Sequence, residues 1–188
     1  MEFNRKTYYS LMGEFLNTEV TDNDCLKGED KLEKIWDDSN QTDFSIYEGN
    51  DCLLWLLHYQ HIVMSRFKSV CNIKYLFKEP NIILDHGCGL GFSTLFLSEK
   101  FPNSLIIGSN LSGKQVDFNK FLLDKYKHNN IVFYDSSDLV HKVGKVDIIC
   151  AFELFEHIFK PDKELIYLLK FKPSIIIEST SFSVPSPG

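Results

Sequence analysis

Few of the features that mark a metal-bound, disulfide-stapled or membrane-spanning chain are present. The five cysteines (Cys25, Cys52, Cys71, Cys88 and Cys150) are odd in number and widely scattered, and no two form a CxxC pair. That spacing argues against zinc-ribbon and disulfide frameworks, and it predicts reduced thiols in a cytoplasmic protein with no metal site. Positive charge is also scarce. Twenty Lys and Arg face 26 Asp and Glu, for a formal charge of −6, so a general nucleic-acid binder is not expected. The greasiest stretch, LLWLLHYQHIVMSRF (53–67), carries two His and an Arg and is too short to cross a bilayer. The opening MEFNRKTYYSLMGEFLN has no apolar core of the kind a secretory signal needs. No membrane association is expected. GxxxxGK[ST] is missing too, which excludes a P-loop.

The material for a core is ample. The 188 residues are 44 % hydrophobic and include 16 Phe and 8 Tyr, which suits one compact domain with a small appendage. Two parts are visible. Residues 1–78 show no alternation of strand and helix and read as a helical cap or lid. Their first 50 residues are polar and acid-rich, with clusters that read as loops between short helices. Asp51 is placed to cap a helix running to about Val70 that is apolar on more than one face. His58 and His61 lie in that helix at i, i+3, without a companion ExxH helix, and read as packing residues. Trp55, Tyr59 and Phe67 read as core or lid.

After Pro80 the pattern changes. NIILD, SLIIGSN, NIVFYD, VDIICAF and PSIIIEST read as buried strands. Between them lie FSTLFLSEKF, SGKQVDFNKFLLDKY (with Ser112 near its start), the short SSDLVHKV and LFEHIFKPDKELIYLLKF, the last interrupted near Pro161. Greasy strands alternating with amphipathic helices predict a Rossmann-like α/β domain over 79–188, a parallel sheet with helices on both faces. The last strand, IIIEST, makes a poor exposed edge and is followed at once by SVPSPG. Either something covers it or the natural protein continues past this point, a C-terminally truncated domain.

Gly87, Gly89 and Gly91 fall between the first strand and the next helix. Such a trio reads either as a plain strand-to-helix turn or as a loop whose bare backbone approaches a ligand beside a helix N-terminus. The spacing is GxGxG. Phe92 stands where the dinucleotide fingerprint needs its third glycine, which weighs against NAD and FAD. Asp85, at the strand's end, suits a cationic or amine-bearing ligand better than a pyrophosphate.

LDHGCGLGFSTLFLSEKFPNSLIIGSNLS resembles the first two motifs of the class I S-adenosylmethionine-dependent methyltransferases, small-molecule type. NIVFYDSSDL, VDIICAFELFEHI and PSIIIEST resemble the three strand motifs that follow. The resemblance covers about residues 80–180. It implies strand order 3-2-1-4-5, with the family's final antiparallel strands missing here, and S-adenosylmethionine as cofactor with S-adenosylhomocysteine as product. By the same resemblance Asp85, Gly87, Cys88, Gly89 and Gly91 would form the cofactor loop, Cys88 as a small filler. Asn110 would follow as a ribose contact, with a plain turn residue as its other reading, and Leu111 next to it would also touch the cofactor. Asp135 and Ser136 would face the adenine, with a helix cap as the other reading of this pair. Ala151 and Phe152 would flank the cofactor.

Asn110 departs from the family, which usually has Asp or Glu there to accept from both ribose hydroxyls. An amide offers only one acceptor. His157 is the candidate base or acceptor-orienting group. Glu153 is placed with it at i, i+4 on one helix face. ELFEH is not the HxxEH of a metalloprotease. Tyr8 and Tyr9 are candidates to reach over the site. AFEL replaces the NPPY expected for amino groups on nucleobases or glutamine. The expected function is therefore methyl transfer to a small molecule by in-line displacement. A weak or inactive methyltransferase-like binding module is the alternative, and a dinucleotide-dependent oxidoreductase is disfavoured. A homodimer is compatible with these features.

Overall fold

The structure, a computed structural model, describes residues 4–38, 44–70, 80–111, 113–158 and 160–179. Ser112, the side chain of His61 and everything beyond residue 179 lie outside them, so the expectation of missing final strands does too.

The amino-terminal part is more helical than its polarity suggests. Helix α1 spans Arg5–Leu16 and α2 spans Asp22–Asp38. A 3-10 turn at Phe44–Tyr47 then leads to α3, Asn50–Val70. The reason lies in the caps. Asn4 accepts from the Thr7 amide, and Asn17 closes α1 in the left-handed conformation. Thr21 and Asp24 form a reciprocal box. The Thr21 amide donates to Asp24 Oδ2 at 2.9 Å, and the Asp24 amide donates to Thr21 Oγ1 at 3.4 Å. The acidic cluster that reads as loop is therefore a well-started helix. Lys31 pairs with Asp51, and Tyr59 donates to Glu29, joining α2 to α3.

The second part is a five-stranded parallel sheet in the order β3-β2-β1-β4-β5, as expected. The strands are β1 Ile82–His86, β2 Leu105–Asn110, β3 Ile131–Asp135, β4 Ile148–Phe152 and β5 Ile175–Ser179. The helices between them are α4 Phe92–Lys100, α5 Lys114–Tyr126, α6 Leu139–Lys142 and α7 Pro161–Leu169. Successive strand residues point to opposite faces. Ile83, Ile106, Ile131 and Ile148 pack with α1, α3, α4 and α5, around Met12, Phe67, Phe92 and Phe118. Leu84, Ile107 and Ile149 pack on the other face, with Leu139, Leu168 and Phe171. The helical segment thus completes one face of the sheet. Tyr8 of α1 packs at a tilt against Phe92, ring centroids 4.4 Å apart, and Phe67 of α3 meets Phe152 edge-on at 4.6 Å.

The sheet register brings Asp85 beside Gly108 and Cys150, and Asn110 beside Asp135. The carboxyl ends of β1, β2 and β3 therefore lie together. Among the described residues, no helix is long and apolar enough to cross a membrane.

Thr21→Ala should lower stability by about 1 kcal/mol through loss of the α2 cap. Urea unfolding would show this as an earlier midpoint. An unmoved midpoint would mean that the start of α2 is held by other contacts.

Candidate functional site

At the end of β1 the chain turns sharply. The amides of Gly87 and Cys88 both donate to the Ser109 carbonyl, at 2.8 and 3.0 Å, and the Gly91 amide returns to the Cys88 carbonyl at 2.8 Å. Such a path needs positive φ at alternate residues. Gly87, Gly89 and Gly91 have φ of 70°, 52° and 78°, where a side chain would be strained. A Cβ on Gly87 would come within 2.7 Å of the Leu154 side chain, and one on Gly91 within 2.7 Å of Asn119 Nδ2. At Gly89 the nearest atoms belong to Leu56 of α3, at 3.8 Å. Gly87 and Gly89 stay partly open, whereas Cys88, Leu90 and Gly91 are buried.

Beneath the loop, Asp85 is buried. Its Oδ2 accepts from Ser93 Oγ at 2.7 Å and Thr94 Oγ1 at 2.6 Å, both in the first turn of α4. Desolvation pushes its pKa up to about 6, against those two hydrogen bonds. Its neighbour His86 ties the loop to other elements. Nδ1 lies 2.8 Å from Ser109 Oγ, and Nε2 lies 2.7 Å from Glu164 Oε1 of α7.

Position 110 is turned toward the loop. Asn110 Oδ1 accepts from the Gly89 amide at 2.8 Å, and Nδ2 donates to the Gly89 carbonyl at 2.7 Å. Leu111, the next residue, is 49 % exposed, an apolar side chain left bare beside the loop. Asp135 Oδ1 accepts from the amide and hydroxyl of Ser137, capping the 3-10 turn Ser136–Asp138. Ala151 and Phe152 are buried at the end of β4.

After β4 the backbone departs from the expected helix. Glu153 sits at φ 48°, and only Phe155–His157 make a 3-10 turn. Glu153 and His157 therefore share no helix face. The left-handed turn at Glu153 breaks the run before a helix can start. The two residues still interact, because the Glu153 charge raises the His157 pKa. Burial outweighs that and holds it below the ordinary histidine value.

The helical segment reaches this side of the sheet as well. Trp55 meets His157 edge-on at 5.6 Å, and Gln115 Nε2 donates to the Tyr47 carbonyl at 3.3 Å. His58 packs edge-on against Tyr59. Among the described residues, no group of three or more His, Cys, Asp or Glu is placed to hold a metal ion.

A glycine loop held open at the carboxyl edge of a 3-2-1-4-5 sheet is the place where open α/β sheets bind ligands. Residues 83–170 match the family model of a methyltransferase domain. The match takes in a little under half of the chain, whose parallel-sheet part is similar to the class I S-adenosylmethionine-dependent methyltransferases. An uncharacterised protein of Rickettsia prowazekii (strain Madrid E) is 32 % identical over 80 residues. That match takes in 42 % of this chain and 32 % of the relative, so the chain spans about a third of the curated relative's length. PKMT2 from Rickettsia typhi, solved in complex with AdoHcy, is 32 % identical, with a TM-score of 0.45 over 50 % of this chain and 19 % of that one. A SAM-dependent methyltransferase from Aquifex aeolicus, 18 % identical, covers 65 % of this chain and 78 % of its own at a TM-score of 0.50, a likeness of fold alone.

S-adenosylmethionine is the cofactor of this family. The open main chain at Gly87 and Gly89 and the bare Leu111 suit a nucleoside with an aliphatic arm. Position 110 offers no carboxylate. Several residues that shape the site carried no motif signal: Ser93, Thr94, Leu154, Leu56 and Asn119. Asn119 alone left a trace in the sequence, as a polar residue inside the apolar run VDFNKFLL.

Unfolded Asp titrates near about 3.9, and folded Asp85 at about 6. Across that window the folded chain keeps a proton that the unfolded chain has lost. Stability should fall as pH rises from about 4 to about 6, by on the order of 3 kcal/mol. Asp85→Asn should flatten this slope in urea titrations of the ligand-free protein; the same slope in parent and variant would contradict the assignment.

Proposed function

We propose that the chain binds S-adenosylmethionine at the glycine loop and moves its methyl group to a small-molecule acceptor. The observation that carries this reading is the loop itself, with three glycines at positive φ and the partly open main chain of Gly87 and Gly89 next to exposed Leu111. When bound, the cofactor supplies a sulfonium methyl open to in-line attack, with a neutral thioether as leaving group. The chain's own residues then have mainly to align the acceptor and keep water out.

In this reading Gly87, Gly89 and Gly91 leave room for the methionine arm and ribose. Cys88 fills space between them, and Asp85 steadies the turn from below. Leu111 packs against the adenine, whose polar edge meets Asp135 and Ser136. Ala151 and Phe152 form the floor. His157 and Glu153 stand on the acceptor side. A neutral His157 can accept a proton from an acceptor hydroxyl or amine, and burial favours the neutral form. Residues 1–78 act as the cap over this site, supported by Trp55 on His157 and by Leu56 beside Gly89. A cytoplasmic setting is supported by the free, buried thiols of Cys25, Cys52 and Cys88.

One observation favours a second reading, a binding module without turnover. The side chain at position 110 is spent on the loop backbone, where the family places a ribose-binding carboxylate. Titration calorimetry with S-adenosylmethionine, S-adenosylhomocysteine and NADH separates the readings. Heat from S-adenosylmethionine and S-adenosylhomocysteine but not from NADH supports the site. NADH binding, or no binding of any ligand, removes it. Turnover with a panel of small acceptors then distinguishes the enzyme from the module.

Gly87→Val should abolish S-adenosylhomocysteine binding, because the new side chain strikes Leu154 and strains a left-handed residue; wild-type affinity in that variant would refute the loop assignment. Glu153→Gln should lower the His157 titration midpoint seen by proton NMR, since it deletes the charge that raises it. A midpoint unchanged or moved upward would mean that Glu153 does not act on His157.

A further inference from the structure

The departure at position 110 has its own logic. Gly89 is gripped by two carboxamides. Asn110 takes both its N–H, at 2.8 Å, and its C=O, at 2.7 Å. Asn119 of α5 donates to the same carbonyl at 3.1 Å. The two amides are joined as well, Asn110 Nδ2 donating to Asn119 Oδ1 at 2.7 Å. That oxygen also accepts from Cys88 Sγ at 3.7 Å. Asn110 is 3 % exposed and Asn119 1 %, so both carboxamides are shielded from water.

A carboxamide carries an acceptor and a donor on one short fork, which a carboxyl group does only after taking up a proton. At position 110 it can satisfy the donor and the acceptor of a single residue at once, as a neighbouring strand would. Gly89's own N–H and C=O fix which way the Asn110 amide points, because the flipped amide would set donor on donor and oxygen on oxygen. A carboxylate at 110 could still accept from the Gly89 amide. Its second oxygen would then face the Gly89 carbonyl and Asn119 Oδ1, two acceptors with no proton between them. Buried, that arrangement is repulsive and leaves both oxygens unsatisfied. The glycine at 91 belongs to the same design, since a Cβ there would come within 2.7 Å of Asn119 Nδ2.

We propose that Asn110 and Asn119 are positioning residues that clasp Gly89 and hold the glycine loop in its ligand-ready shape, and that Asn110 does not read the ribose hydroxyls. The ligand part of this proposal rests on the cofactor reading above. The clasp itself does not.

The decisive variant is Asn110→Asp, which restores the residue type usual in the family. Calorimetric titration of the full chain with S-adenosylhomocysteine should give about tenfold weaker binding for the variant. Its ligand-free melting temperature should fall by roughly 4 °C. Equal or tighter binding by Asn110→Asp would overturn the proposal and restore position 110 as the ribose contact. Should that variant fail to fold, Asn119→Ala decides in its place. That side chain lies behind the loop, so weakened S-adenosylhomocysteine binding supports the clasp and unchanged affinity refutes it. If the parent binds no S-adenosylhomocysteine, the cofactor reading fails, and hydrogen exchange of the Gly89 amide in ligand-free protein still tests the clasp. Protection in the parent that is lost in Asn110→Ala supports it. Exchange equally fast in both contradicts it.

Discussion

The main chain between Asp85 and Gly91 must follow a path that side chains would obstruct, and most of the surrounding structure serves to hold it there. Three glycines allow the path but do not select it, since glycine adopts many conformations. Selection comes from outside the loop. The Ser109 carbonyl takes two loop amides, Asp85 is pinned by Ser93 and Thr94, and Asn110 takes both polar groups of Gly89. The partners come from two places, Ser109 and Asn110 from the end of β2 and Ser93 and Thr94 from the first turn of α4. The turn is therefore stable only once β1, β2 and α4 are assembled. A disordered glycine loop would have to lose its freedom on binding a ligand. One ordered in advance has already met that cost in folding.

The burial of Asp85 shows the tension in such a site. Taking a carboxylate out of water is unfavourable, and two hydroxyl donors offset the loss only in part, so its proton is held to higher pH than usual. A hydrophobic residue would avoid that loss but could not fix the first turn of α4 relative to β1. Stability is given up here for a defined geometry, a common trade at functional sites. Glu153, at φ 48°, is a strained point at the same edge of the sheet.

Much of this was legible in the sequence. NIILD and its four successors are greasy runs with helical patterns between them, and they gave the parallel sheet, while its order came only from the family resemblance. The glycines gave the turn. Other parts were hidden for physical reasons. The acid-rich start reads as loop until the Thr21–Asp24 box is recognised, because charge clusters obscure a weak apolar stripe. The i, i+4 spacing of Glu153 and His157 suggests a helix, yet one left-handed residue is enough to prevent it. The partnership of Asn110 with Asn119 and Gly89 joins three separate elements, and no local pattern encodes it. The sequence showed only that position 110 lacked a charge, and the structure shows the amide engaged on both sides.

The central claim is that the backbone bared at Gly87 and Gly89 receives an adenosyl ligand. Amide NMR spectra of the full chain recorded during addition of S-adenosylhomocysteine test it most directly. The account predicts saturable shifts centred on Gly87, Gly89 and Leu111, spreading to the residues after β3 and β4. Unmoved loop amides, or shifts confined to another face of the molecule, would contradict it.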